Sequence, residues 1–301
     1  MADQIPQHYA PTFTTMVELL LQQMGSRLRP YVQPGSQTGE GARFIEQVGK
    51  AGAAAKNMAR LSDTPNMDVP ADNRWVYPNT FDWATLIDNK DRLFMLIDPQ
   101  GPYAQAAALE MGRQIDGEII RGIFDGARTG KNGATTVAFP AGNVVGKDVG
   151  GTDSGLNVAK LRAARKKLLQ NHVDINEPAF LAITAEQHDN LLGDAQAASK
   201  DYNERPILVD GRISSYMGFN FVPIELSAVP DGDTWTKSGT TRKCPFWVKS
   251  GLHLNTWRDV STKIDPRADK RYAIQIYLEG VFGATRTQEG KVGAIECVEP
   301  S

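Results

Sequence analysis

The segment NVAKLRAARKKLLQ, residues 157–170, sets five cations close together: Lys160, Arg162, Arg165, Lys166 and Lys167. Such a run could neutralise phosphates along a nucleic acid, or it could be the wet side of a packed helix. Val158, Leu161, Ala164, Leu168 and Leu169 make an apolar stripe on the same stretch. No aromatic residue is interleaved among the cations for base stacking. A charge run behind an apolar stripe is usually a solvated helix face, and the segment is read that way.

A second stretch, GARTGKN at 126–132, raises the question of a phosphate loop. That loop needs four residues between its first glycine and its Gly-Lys, then Ser or Thr, and it sits between a strand and the following helix. Here three residues separate Gly126 from Gly130, Asn132 follows Lys131, and the segment trails a helix. It reads as a plain loop. His8, His172, His188 and His253 are scattered, without an i, i+4 pair and without a neighbouring cysteine. Asp231 and Asp233 lack the later ligands and closing Glu of a calcium loop. Cys244 and Cys297 form no CxxC pair and read as two buried free thiols. No Gly-x-Ser-x-Gly elbow occurs, and Asp88, Asp91 and Asp98 meet no partner that would make them acid–base groups. The sequence therefore assigns no catalytic residue, no cofactor and no metal site.

The elements around these residues change character along the chain. MVELLLQQMGSRLRPYV predicts one amphipathic helix with Met16, Leu19, Leu20, Met24 and Leu28 on its stripe. A lone helix in a polar, turn-rich arm cannot bury that stripe by itself. Residues 43–95 predict two long strands with an open loop, LSDTPNMDVPAD, between them. Trp75, Tyr77, Phe81 and Trp83 recur at even spacing and would share one ribbon face if strand geometry persists. A long helix follows at 101–126, with Met111, Ile115 and Ile119 on one face, Pro102 in its first turn and Gly126 at its stop. Then helices alternate with short strands. Asp153 or Ser154 caps a helix running from Leu156 to Gln170, FLAIT at 180–184 is a buried strand, and AEQHDNLLGDAQAASKDY is a second helix. RISSYMGFNFVPIEL makes a strand pair around Gly218, residues 231–241 a loop, and the last fifty residues strands again.

The chain has 301 residues, with 33 basic and 35 acidic side chains and a net charge of −2. That balance argues against a dedicated nucleic-acid binder, which is usually basic. There is no apolar run of the roughly 20 residues a membrane helix needs, and the N-terminus lacks the marks of a signal peptide. A soluble protein made in the cytoplasm is the expectation.

The order of elements resembles the major capsid protein of tailed bacteriophages, with its Hong Kong 97-like α+β fold. Three stretches carry the resemblance. DRLFMLIDPQGPYAQAAALEMGRQIDGEIIRGIFDGARTG is similar to the loop-to-spine-helix passage ending in an Asp/Gly turn. VAKLRAARKKLLQNHVDINEPAFLAITAEQHDNLL is similar to the helix–strand–helix that follows, and LVDGRISSYMGFNFVPIELS to the Gly-Phe strand. The resemblance implies an N-terminal arm at 1–42, an extended loop at 43–95, and a peripheral domain from 96–150 and 251–301 with its spine helix at 101–126. Residues 151–250 would be the axial domain. It implies no enzymatic role, no cofactor and no membrane partner. Instead the protein would assemble with itself into pentamers and hexamers of an icosahedral shell, in the bacterial cytoplasm, to form the virion head. The shell would enclose double-stranded DNA without sequence-specific binding. A separate scaffolding protein, a portal and a decoration protein are the implied partners. Trp75, Tyr77, Phe81, Trp83, Leu19, Leu20, Arg162, Arg165 and Lys166 are the candidate subunit-interface residues. Two other readings stand beside it: an encapsulin-type nanocompartment shell, and a cytosolic enzyme or ligand-binding domain built on 151–250.

Overall fold

The computed structural model describes residues 22–54, 56, 58, 60–63, 66–88, 100–151, 153–194, 208–209 and 212–299. The first half of the chain holds β1 (Gln33–Ser36), β2 (Ala42–Val48), β3 (Ala71–Val76), β4 (Asn79–Ile87), α1 (Gln100–Phe124), β5 (Ala127–Thr129), β6 (Thr135–Val137) and β7 (Val144–Val145). Next come α2 (Val158–Gln170), β8 (Ala179–Ile183), α3 (Ala185–Gly193), β9 (Leu208–Val209), β10 (Arg212–Ile213), β11 (Ser215–Tyr216) and β12 (Phe219–Pro223). The chain closes with α4 (Gly232–Thr236), β13 (Lys237–Ser238), β14 (Thr241–Val248), β15 (Leu252–Arg267), β16 (Ala273–Arg286) and β17 (Val292–Val298). Among the described residues, no helix is long and apolar enough to cross a membrane.

Helix α1 keeps one stripe apolar over its whole length. Ala107, Met111, Ile115, Ile119 and Ile123 recur every fourth residue, and all are buried. Its 25 residues span about 37 Å at 1.5 Å each. The stripe packs on a sheet of order β1-β15-β16-β4 and meets Ile276, Leu278 and Phe282 in one core. Glycines on α1 allow close approach on two sides, by the sheet and by the N-terminal segment. A Cβ on Gly122 would lie 2.7 Å from the backbone of Ala284, and one on Gly112 would lie 2.6 Å from the backbone of Gly25.

The second layer is a sheet of order β11-β12-β8-β14-β17-β7. Strand β8 lies at its middle, parallel to β12 and antiparallel to β14. Phe180 and Ala182 face the α1 core, while Ala179, Leu181 and Ile183 face a second core under α2 and α3. Both faces are covered, so the strand reads as a continuous apolar run rather than an alternation. This sheet takes β7 and β17 from outside residues 151–250, so it crosses the boundaries drawn from the sequence.

Other differences are local. Helix α2 is capped by Asn157, whose Oδ1 accepts from the Lys160 amide at 2.8 Å, not by Asp153 or Ser154. Residues 231–241 are not a bare loop but hold the short α4 and β13. The helix expected from Met16 to Leu28 is absent over residues 22–28, where Gly25 takes φ +73°; residues 16–21 lie outside the described part. Leu28 and Val32 instead enter the chain's own α1 core.

That docking is organised by Asp116, which is fully buried on α1. Its carboxylate accepts from Gln23 Nε2 at 2.5 Å, Ser26 Oγ at 2.5 Å, the Arg27 amide at 2.9 Å and the Leu28 amide at 3.0 Å. Burial pushes its pKa up, and these donors pull it back. A few residues on, β1 pairs in parallel with β15, placing Gln33 opposite His253 and Gly35 opposite Asn255. Both β15 side chains are buried in this seam. Burial lowers the His253 pKa from 6.5 to about 4, with a hydrogen bond to Asn255 working the other way.

Two outcomes follow for the arm. Asp116→Ala strands buried donors and should cost about 2–4 kcal/mol in urea unfolding of the protomer, with faster proteolysis near residues 22–30; an unchanged midpoint refutes this anchor. For His253, the folded state stays neutral down to about pH 4 while the unfolded chain protonates near 6.5. The unfolded state therefore binds the extra proton below 6.5, so stability drops as pH falls from 6.5 through 4, by up to about 3 kcal/mol. His253→Gln should flatten that slope, read as the difference between variant and parent urea midpoints across pH 4–7.

Candidate assembly surfaces

The four aromatic residues of the ribbon do not share a face. β3 ends at Val76, and β4 begins at Asn79 in a different sheet. The break at Tyr77 and Pro78 separates Trp75 and Tyr77 from Phe81 and Trp83. On β4, Phe81, Trp83 and Thr85 are half-buried while Asp82, Ala84 and Leu86 are exposed. Phe81 and Trp83 pack against the chain's own core, and Phe81 stacks on Phe282 with ring centres 4.6 Å apart and planes 7° apart. The covering surface is therefore α1 and β16 of the same chain. Even spacing in sequence does not carry across a strand break.

Trp75 is half-buried and donates its indole N–H to Gly130 O at 2.7 Å. Tyr77 remains exposed, and the two rings help line a cleft of roughly 440 Å³ that also includes Glu118, Arg121, Asp125 and Arg128. Burial pushes the Glu118 carboxyl up, while Arg121 and Asn79 favour its charged form. Arg121 lies 3.7 Å from Glu118 and 3.5 Å from Asp125. The charges of the cleft compensate one another, which suits a packed contact rather than a reactive centre.

Several exposed apolar side chains gather on and beside the connection between β2 and β3. Val48, Met58, Leu61, Met67 and Val69 are all exposed, and Leu61 is 95% exposed. Met58, Leu61, Met67 and Val69 follow neither a helical nor a strand period. The available signal was apolar residues set among prolines and aspartates in LSDTPNMDVPAD.

On α2, Arg162 and Lys166 are exposed, and half-buried Arg165 donates to Ile175 O at 2.6 Å. Lys160 departs from the expected wet face. It is fully buried, and its ammonium donates to Ser154 O at 2.6 Å and Glu296 O at 2.9 Å. Burial lowers its pKa. Leu169, expected in the stripe, is exposed beside Met217, and the two join Arg162, Arg165, Lys166 and Gln170 around a shallow groove. Leu19 and Leu20 lie outside the described residues.

Cys244 and Cys297 are free and buried. A hydrogen bond with Cys297, then burial, raises the Cys244 thiol pKa well above its ordinary value. Among the described residues, no group of three or more His, Cys, Asp or Glu side chains gathers as metal ligands.

Comparisons bear on what these surfaces serve. A family model described as phage capsid protein matches residues 5–299. Among solved structures, the capsid of cyanophage Pam1 aligns with a TM-score of 0.73 at 13% identity, covering 99% of this chain and 99% of that one. The capsid of cyanophage P-SCSP1u aligns at 0.72 and 10% identity, covering 99% and 96% respectively. The acid-stable capsid of Helicobacter pylori bacteriophage KHP30 gives 0.70 and 10%, covering 99% and 98%. No curated protein sequence matches. The fold is thus the Hong Kong 97-like α+β arrangement.

Phe81→Ala should lower the stability of the unassembled protomer by about 3 kcal/mol in urea, whereas Leu61→Ala should stay within about 0.5 kcal/mol. If Phe81→Ala left the protomer unchanged and blocked only association, its ring would serve a neighbour after all.

Proposed function

The chain belongs to the phage capsid protein family, and from that premise we propose that it builds an icosahedral head from pentamers and hexamers of itself. The family match over residues 5–299 carries this reading. The head encloses double-stranded DNA through geometry rather than sequence recognition. A net charge of −2 suits that role, since a strongly basic lining would hold the entering genome in place.

Within this reading, residues 1–42 act as the N-terminal arm and 43–95 as the extended loop that lies on a neighbouring subunit. Residues 96–150 and 251–301 form the peripheral domain around α1, except that β7 and β17 join the sheet of the axial domain at 151–250. The exposed Leu61, Met58 and Met67 support the loop's role, because a monomer gains nothing from apolar side chains held in water. Obligate interfaces often exceed about 2,000 Å², and a long connection draped over a neighbour reaches that area. The protein works without catalysis. A scaffolding protein sets shell size, a portal occupies one vertex, decoration protein binds outside, and assembly takes place in the host cytoplasm.

The test is negative-stain electron microscopy with size-exclusion chromatography, on protein expressed with and without its neighbouring genes. Shells, tubes, or uniform five- and six-fold rings are expected. A compact monomer under every condition would sink the proposal.

A further inference from the structure

We propose that α2 of one copy docks against α3 of the next, a basic helix against an acidic one, and that this head-to-tail contact helps close the rings. The inference rests on the shell reading above and names the two surfaces that meet.

The two helices divide the charge between them. Helix α2 presents Arg162, Arg165, Lys166 and Lys167 and contains no carboxylate. Helix α3 presents Glu186 and Asp189, both exposed, and contains no lysine or arginine. Elsewhere this chain neutralises several surface cations on the spot. Arg258 and Lys263 both reach Glu279, Arg267 pairs with Asp269 at 2.8 Å, and Arg29 pairs with Asp259 at 3.1 Å. Helix α2 differs in gathering four cations on one element. Arg165 and Lys167 donate to the carbonyl oxygens of Ile175 and Gly142, and among the described residues no ion pair joins any of its four outer cations to a carboxylate. None joins Glu186 or Asp189 to a cation either.

The α2 surface is also more than charge. Leu169 and Met217 lie exposed within its shallow groove of roughly 460 Å³, bordered by Arg162, Arg165 and Lys166. Apolar atoms flanked by cations suit an acidic helix better than a bare phosphate chain, and no aromatic ring lines the groove for base stacking. Two different, complementary patches on one chain give a heterologous contact, and such contacts close into rings when the rotation allows. Opposite charges at the edge of a contact set register and partner choice.

The test uses full-length protein under conditions where the parent assembles. Arg162→Glu with Lys166→Glu, and separately Glu186→Lys with Asp189→Lys, should each raise the protein concentration needed for assembly at least tenfold. All four changes on one chain should restore it to within about threefold of the parent. Thermal unfolding of each unassembled variant identifies any that fail to fold, and Arg162→Gln with Lys166→Gln then replaces the reversal. Normal assembly of the single-side variants overturns the proposal, and so does loss that the fourfold variant does not rescue. Normal shells that lose only their DNA overturn it as well, by assigning α2 to the genome. A parent that never assembles sinks the shell reading instead, before these variants are compared.

Discussion

One carboxylate inside α1 fixes where the N-terminal segment runs. Asp116 has no solvent contact, so its charge is tolerable only while its hydrogen-bond donors stay in place. Two of those donors are the backbone amides of Arg27 and Leu28. The chain must therefore pass over α1 at that height, and Gly112 leaves room for it to do so. From there Leu28 and Val32 drop into the core, Tyr31 O receives the indole N–H of Trp247 at 3.0 Å, and β1 reaches β15. One buried charge thus ties residues 22–36 to both layers of the fold.

The sequence revealed what periodicity controls. The i, i+4 ladder of α1 and the two-sided apolar run of β8 were legible because long packed elements repeat their environment along their length. The strand pair around Gly218 was legible because Met217 and Gly218 both take positive φ, a turn geometry that glycine favours. What escaped was set by single neighbours. Lys160 looks like one cation in a wet run, yet two carbonyl oxygens supplied by residues 154 and 296 make it a core residue. The even spacing of Trp75 through Trp83 hid a change of sheet at Pro78. Asn157 displaced Asp153 as the cap, and Asp153 instead pairs with Lys147 at 2.5 Å. Glu296, whose carbonyl holds Lys160, lies 136 residues away, beyond any periodic pattern.

The described surfaces divide by the kind of contact each can make. The β2–β3 connection offers exposed apolar side chains, which suits draping over another surface. The cleft beside Tyr77 carries balanced charge and a rigid aromatic wall. Helix α2 offers cations that no carboxylate among the described residues pairs with. A subunit that occupies several slightly different positions in one shell needs such a mixture: adaptable contacts absorb the differences, and charged ones set who sits beside whom.

Both thiols of the chain are sealed inside the α2 core, and Cys244 is held far from its reactive thiolate form. A shell of many copies brings identical surfaces together at very high local concentration. Once outside a cell it meets oxygen with no glutathione to reverse mistakes. With no cysteine at the surface, neighbouring subunits cannot be stitched together by stray disulfides, and particles cannot be stitched to one another. Exposure to air then leaves the joints between copies as they were built.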